Sequence, residues 1–322
     1  VAQPSSQIYC FFQGEFVPLE EAKVGVMTHA LNYGTGVFEG IRGYWNTSAQ
    51  ELYIFRLREH FVRFLKNTAM VFIEVPHTVD DLVDMTLDLL RRDAFTSDTY
   101  IRPLAYKSSE QIGVSMEGVR DAFTLFAVPY GDYVPMDRPL TLAVSSWMRS
   151  DDNAIPGRAK VTGNYVNTAL AKNEAVRNGY DEAVVLNRNG YVVEGSAENI
   201  FLVRDGVLIT PAVSDGILEG ITRDTIIRLA QEELGVRTVE RNVARTELYY
   251  SDEIFLTGTG AQVATVGSVD GRRVRDGSAG PITSALQKLY FDVVKGNHPK
   301  YMDWLTPVGA GRSMRPAPAP VS

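Results

Sequence analysis

Between Glu182 and Thr210 the chain spells four short apolar runs, EAVVLN, YVVEG, NIFLV and VLIT, and two of the joints between them are Asn189-Gly190 and Asp205-Gly206. Asn-Gly and Asp-Gly pairs flanked by β-branched residues supply the positive φ angles of two-residue hairpin turns. Strands joined this tightly pair antiparallel, because a parallel pair needs a crossover of about a dozen residues or more. The second half is therefore expected to be a meander-like sheet and not a regular alternation of strand and helix. Around it, the pattern predicts a strand at 140–147, helices over about 164–178, 222–234 and 281–294, and further strands to about 269. The helix at 164–178 should stop at Gly179 and bury a stripe of Val166, Ala169, Leu170 and Val176.

The first half mixes strands and helices. IYCFF (8–12) and EFV (15–17) read as a hairpin around Gly14, and ELYIF (51–55), YIRPLAY (100–106) and AFTLFAV (122–128) as further strands. Helices are expected at about 58–70, with Phe61, Leu65 and Phe72 on one face, and at about 79–92. A chain of 322 residues is long enough for two domains, and the proline-rich PYGDYVPMDRP (129–139) marks their boundary. The expected division is a small N-terminal α/β domain over 1–134, a linker and first strand over 135–146, a large C-terminal domain over 147–308, and a flexible tail over 309–322.

A net charge of −7 argues against a nucleic-acid partner, since binders of phosphate backbones concentrate positive charge. Cys10 is the only cysteine, which excludes an intrachain disulfide and a thiol pair on zinc, and the four histidines are scattered. No apolar run approaches the roughly 18 residues of a membrane span. The start VAQPSSQ lacks the charged and apolar regions of a signal peptide. These features predict a globular protein of the cytoplasm.

Lys160, in GRAKVTGNY (157–165), and Glu194, in NGYVVEGSAEN (189–199), suggest chemistry. A lysine amine can hold an aldehyde such as pyridoxal phosphate, and a carboxylate on the pyridine nitrogen keeps that ring protonated and electron-withdrawing. Of the eight lysines, six sit among polar neighbours where an ammonium stays solvated, Lys172 among them; Lys107 and Lys160 do not. Taken alone, Lys160 reads first as an ordinary structural lysine. Tyr165 could reach the same ring or be a core tyrosine. EGITRD (219–224) is a helix start, with Thr222 as a cap; such a start either binds an anion or simply begins a helix. TGTGA (257–261) is either an anion loop or a plain turn. Arg63 points away from the apolar stripe of its helix, so periodicity makes it a solvated surface arginine.

Taken together, the strings resemble the fold-type IV pyridoxal-phosphate enzymes, and among them the branched-chain amino acid aminotransferases. The likeness runs from about residue 7 to residue 308 and includes MTHALNYGTGVFEGIR (27–42), REHFVRF (58–64), YIRPL (100–104), AKVTGNY (159–165), GYDEAVVLNRNGYVVEGSAENIF (179–201), EGITRD (219–224), RTELYYSDEIFLTGTGAQV (245–263) and DWLTPV (303–308). It implies a two-domain α+β protein, a small α/β domain beside a larger β-rich one, with pyridoxal 5′-phosphate in the cleft. Lys160 would carry the cofactor and move the proton, Glu194 would face the ring nitrogen, and Tyr165 would bond the phenolic oxygen. Arg63, Ile221, Thr222 and Thr259 would hold the phosphate. Tyr100 and the amides of Thr259 and Gly260 would take the substrate α-carboxylate. Phe38, Tyr33, Tyr130 and Tyr133 would wall the side-chain pocket, and Arg102 would meet the distal carboxylate of glutamate.

The implied activity is ping-pong transamination between L-leucine, L-isoleucine or L-valine and 2-oxoglutarate, in branched-chain amino acid biosynthesis, by a homodimer or higher homo-oligomer. Rivals are a D-amino acid or (R)-amine transaminase, an aminodeoxychorismate-type lyase of the same fold, and an anion-binding protein without catalysis. The chain departs from the family at Gly260 and Gln262, where alanine and glutamate are usual. Glycine at 260 keeps the amide but loosens the turn, and glutamine at 262 removes a charge near the site.

Overall fold

A computed structural model describes residues 7–309, which divide into two compact units. The first comprises 7–131 with 159–163 and 293–309; the second comprises 132–158 and 164–292. The chain passes between the two units four times, at 131/132, 158/159, 163/164 and 292/293. All but the first residue of the expected tail lies outside the described residues.

In the first unit the elements are β1 (Tyr9–Phe12), β2 (Glu15–Pro18), α1 (His29–Tyr33), β3 (Gly36–Phe38), β4 (Ile41–Asn46), β5 (Glu51–Phe55), α2 (Leu57–Met70), α3 (Val79–Asp93), β6 (Thr99–Lys107) and β7 (Asp121–Pro129). The sheet runs β5-β4-β6-β7-β1-β2, with β3 also on β6 and the late strand Leu305–Pro307 on β5; every pairing is antiparallel. Thr78 starts α3 with a reciprocal cap to Asp81. Leu57, Phe61 and Phe64 of α2, spaced at four and three residues, bury against Ile41, Ile54, Ile101 and Leu125. Phe72 does not share that face: α2 ends at Met70, and Phe72 lies beyond it at φ +57°, 75% exposed.

Residues 159–163 dock on β3 and the end of α1. Val161 bridges Val37, Phe38 N–H donates to the Lys160 carbonyl (3.1 Å), and Gly163 N–H and the Thr162 hydroxyl donate to the Gly34 carbonyl (3.1 and 2.7 Å). Together these links place Lys160 beside Phe38. No change in composition announces this excursion.

The second unit contains β8 (Leu140–Met148), α4 (Tyr165–Arg177), β9 (Glu182–Leu186), β10 (Tyr191–Gly195), β11 (Asn199–Arg204), β12 (Val207–Thr210), α5 (Ile221–Glu233), β13 (Thr238–Glu240), β14 (Val243–Ala244), β15 (Glu253–Gly258), β16 (Gln262–Val269), β17 (Arg272–Arg273) and most of α6 (Pro281–Val294). Its sheet runs β13-β12-β11-β15-β16-β8-β9-β10-β14, with β17 on β16. Of these pairs, β12–β13, β16–β8 and β8–β9 are parallel and the rest antiparallel. The expected hairpins form, and at the second both Asp205 (φ +51°) and Gly206 (φ +75°) take the positive φ that the turn demands.

One expectation fails in α4. The helix buries Ala171 and Ala175, whereas Val166, Ala169, Leu170 and Val176 are exposed. Ala171 and Ala175 pack with Ala183, Val185 and Val193 of the sheet, and the larger apolar residues Val166, Leu170 and Val176 face outward. Periodicity identifies a face but not what covers it. Among the described residues, no helix is long and apolar enough to cross a membrane.

Candidate active site

Strand alternation in β6 sends Ile101 into the core and Tyr100 and Arg102 together to the other face. Arg102 Nη2 donates to the Tyr100 hydroxyl at 2.8 Å, and its guanidinium lies 4.3 Å from the Phe38 ring centre and 5.1 Å from that of Tyr100. Tyr130 packs on Tyr100 with ring centres 5.0 Å apart. Lys160 Nζ lies 5.1 Å from the centre of the same Phe38 ring. The first unit thus gathers Phe38, Tyr100, Arg102, Tyr130 and Lys160 into one cluster. Among the described residues, the buried Arg102 Nε has no hydrogen-bond partner. Tyr33 is instead tied to a loop, its hydroxyl accepting from Gly113 N–H at 3.0 Å.

The rival lysine is engaged elsewhere: Lys107 Nζ pairs with Asp121 at 2.8 Å. Lys172 is not simply solvated as expected, because it pairs with the fully buried Glu182 at 2.5 Å.

Arg63 is not a solvated surface residue either. Its Nε and Nη2 each reach an oxygen of the fully buried Glu39 at 2.7 Å, and His60 Nδ1 meets the second oxygen at 2.9 Å. Burial by itself would raise the Glu39 pKa. The Arg63 charge and the hydrogen bonds from His60 and Arg63 outweigh it and hold that carboxyl far below the usual carboxylate range. Burial lowers the His60 pKa, so a neutral ring donates Nδ1–H to the carboxylate.

In the second unit Glu194 lies past a β-bulge in β10, where the register slips between Val192 and Glu194. Its Oε1 meets Arg149 Nη2 at 2.9 Å; its Oε2 accepts from Asn199 Nδ2 (3.3 Å) and Leu218 N–H (3.2 Å). Asn199 Nδ2 also donates to the Leu218 carbonyl at 2.9 Å, which ties the carboxylate to the segment leading into α5. That segment needs Gly220, because a Cβ there would collide with Asn199 Oδ1. The helix begins at Ile221 with no side-chain cap, and Thr222, expected to be the cap, is buried inside its first turn. Tyr165 is the first residue of α4 and is half-buried. Thr259 and Gly260 form the turn between β15 and β16, and the buried Thr257 hydroxyl just before it has no hydrogen-bond partner among the described residues.

Behind Glu194 sits Glu198, whose pKa is pushed up to about 8 by burial and then by the charge of Glu182.

A helix start without a side-chain cap, an orphaned buried hydroxyl, and a carboxylate backed by arginine suit a phosphorylated pyridine ring. Sequence reasoning did not single out Glu39, His60, Arg149 or Asn199. Glu39, His60 and Asn199 sit inside strings that carry the family resemblance; Arg149, after an ordinary strand, has no local signal.

The amino-transferase class IV family matches residues 36–269, and the chain belongs to that family. Its relatives narrow the comparison to branched-chain enzymes. A probable branched-chain-amino-acid aminotransferase of Aquifex aeolicus is 46% identical over 94% of this chain and 97% of its own. The crystal structure of the branched-chain aminotransferase of Thermoproteus uzoniensis with norvaline matches with a TM-score of 0.90 at 44% identity, covering 94% of this chain and 100% of that one. The PLP-bound holo form of the branched-chain amino acid aminotransferase of Thermobaculum terrenum matches at 0.90 and 40% identity, covering 95% and 99%. The fold is the α+β fold-type IV architecture.

Proposed function

We propose that this protein is a pyridoxal-phosphate-dependent transaminase that moves an amino group between branched-chain L-amino acids and 2-oxoglutarate, in two half-reactions on one site. The observation that carries the reading is the shared wall at Phe38: Lys160 and Arg102 both lie over its ring, at 5.1 and 4.3 Å. An amine able to move a proton and a cation able to meet a distal carboxylate flank an apolar surface that suits a branched side chain.

Pyridoxal 5′-phosphate, when bound, supplies an aldehyde to take up the amino group and a ring to draw electrons from the substrate α-carbon. Lys160 carries the cofactor and moves the α-proton. Glu194, fixed by Arg149 and Asn199, keeps the ring nitrogen protonated, and Tyr165 donates to the phenolic oxygen. Arg63 with Ile221, Thr222 and Thr259 holds the phosphate. Tyr100 and the Thr259 and Gly260 amides hold the α-carboxylate; Phe38, Tyr33, Tyr130 and Tyr133 line the pocket. Arg102 serves the dicarboxylate half-reaction alone.

The outward apolar face of α4 supports a homo-oligomer, at least a dimer, and a single cysteine fits the cytoplasm. The discriminating experiment assays purified protein with L-leucine and with D-alanine, each with 2-oxoglutarate. Glutamate from leucine is expected. Product from D-alanine alone would assign the D-specific reaction, and product from neither would favour the lyase or the binder.

A further inference from the structure

Tyr133 stands against a residue without a side chain. An ideal Cβ on Gly260 would lie 3.2 Å from Tyr133 Cγ and 3.3 Å from its Cβ and Cδ1. Ordinary carbon contacts fall at roughly 3.5–4.0 Å. The ring therefore occupies space that even alanine at 260 would claim. Next to it, Gln262 holds φ +56°, is 2% exposed, and donates from Nε2 to Asp132 Oδ1 at 3.3 Å. Val134, on the other side of Tyr133, is buried in the core of the second unit with Ala261. Residues 132 and 133 are thus fastened to the β15–β16 turn and the start of β16 at two successive positions, by a hydrogen bond at Asp132 and a ring on bare backbone at Tyr133, while Val134 anchors the segment in the core of the unit. The Tyr133 side chain remains 47% exposed, as a wall with one side open requires.

We propose that Gly260 and Gln262 are specificity-determining residues that act through Tyr133: by fastening its ring to the turn that presents the Thr259 and Gly260 amides, they lock the side-chain wall of the pocket to its α-carboxylate seat. The inference rests on the transaminase reading and assigns substrate range to a pair of contacts. Glycine at 260 sets the depth at which the ring sits. The Gln262 amide supplies the donor that Asp132 needs, and a carboxylate there could only repel it. A displaced ring penalises a branched substrate in either direction, by overlap or by lost contact. A side chain that ends at Cβ does not reach the wall and is indifferent.

The test uses the wild type, Gly260→Ala, Tyr133→Ala, the double variant and Gln262→Glu. In the holoenzyme, Gly260→Ala is expected to lower the ratio of kcat/KM for leucine to that for alanine at least about fivefold, within the range that one methylene commands in a pocket. It should weaken calorimetric binding of 4-methylvaleric acid by a similar factor. Gln262→Glu should act in the same direction. In the Tyr133→Ala background, Gly260→Ala should change neither quantity further. In cofactor-free protein, the thermal midpoint should fall on Gly260→Ala with Tyr133 present and not when it is absent. An unchanged leucine-to-alanine ratio, or a Gly260→Ala effect that is the same with and without the Tyr133 ring, overturns the proposal. A wild type inactive on leucine defeats the transaminase reading instead, while the cofactor-free comparison still reads the contact.

Discussion

Glu39 and Arg63 are joined by two hydrogen bonds of 2.7 Å each, and the carboxylate that receives them is wholly buried. Two parallel N–H···O bonds fix a guanidinium in orientation as well as in place. Glu39 thereby sets the orientation of the Arg63 guanidinium, which is proposed to hold the cofactor phosphate. Removing one partner of a buried pair leaves the other uncompensated, at about 3–5 kcal/mol. Glu39→Ala is expected to lower stability by that order in urea titration and to weaken cofactor binding at least about tenfold in titration of the stripped protein. Because the Glu39 pKa is depressed on folding, its contribution is present above the unfolded carboxylate value of about 4.3 and is lost as pH falls below it. Glu39→Gln should flatten that acid limb; an identical acid limb in wild type and variant would show that the pair does not control it.

Arg102 bears on one half-reaction more than the other. Its guanidinium donates to the Tyr100 hydroxyl and leaves a buried Nε without a partner among the described residues, a donor that a dicarboxylate can satisfy and a branched aliphatic side chain cannot. Hydrogen bonds to charged groups contribute about 1.5–3 kcal/mol. Arg102→Met should therefore reduce kcat/KM for glutamate roughly 10- to 100-fold, and kcat/KM for leucine much less. Equal losses for the two substrates would place Arg102 in general packing.

The hairpins at Gly190 and Gly206 are readable from sequence because turn chemistry is local: the residues that demand positive φ are the ones that adopt it. Lys160 and Glu194 are readable as chemistry only within their strings, since neither residue type is rare. Docking of 159–163 on Gly34 and Val37 is not readable, because it depends on main-chain groups that every residue carries. Arg63 illustrates a different limit. Helical periodicity correctly turns it from the apolar stripe, but Glu39, the residue that makes its position a buried one, lies 24 positions earlier on another element. Thr222 fails for a small reason: the helix starts at Ile221 with Gly220 in the cap position, two residues before it, and a threonine inside the first turn is no cap.

The outward face of α4 carries a prediction of its own. Val166 is 65% exposed, and Asn167 Nδ2 donates to the Met148 carbonyl at 2.9 Å, so the exposed Trp147 and Met148 adjoin the same face. Apolar side chains grouped in this way mark an association surface. Glutamate at both 166 and 170 is expected to shift the protein to a lighter species in sedimentation at micromolar concentration, without loss of helical circular dichroism. An unchanged sedimentation coefficient would remove this face from the interface.

Glu198 ties stability to pH in the direction opposite to Glu39. It is buried beside Glu182, accepts one main-chain hydrogen bond from Ala197 at 3.1 Å, and has its pKa pushed up to about 8, first by burial and then by the Glu182 charge. Folded protein therefore keeps a proton that the unfolded chain releases at about pH 4.3. Where the folded state binds more protons, stability falls as pH rises, so this contribution is fully present below about pH 4 and is lost progressively up to about pH 8. Glutamine reproduces the shape and hydrogen bonding of the protonated carboxyl and cannot ionise. Glu198→Gln should consequently match the wild type in urea midpoint at pH 4 to within a small margin and exceed it clearly at pH 8.5. If the gap between the two proteins is the same at both pH values, the buried proton is not on Glu198.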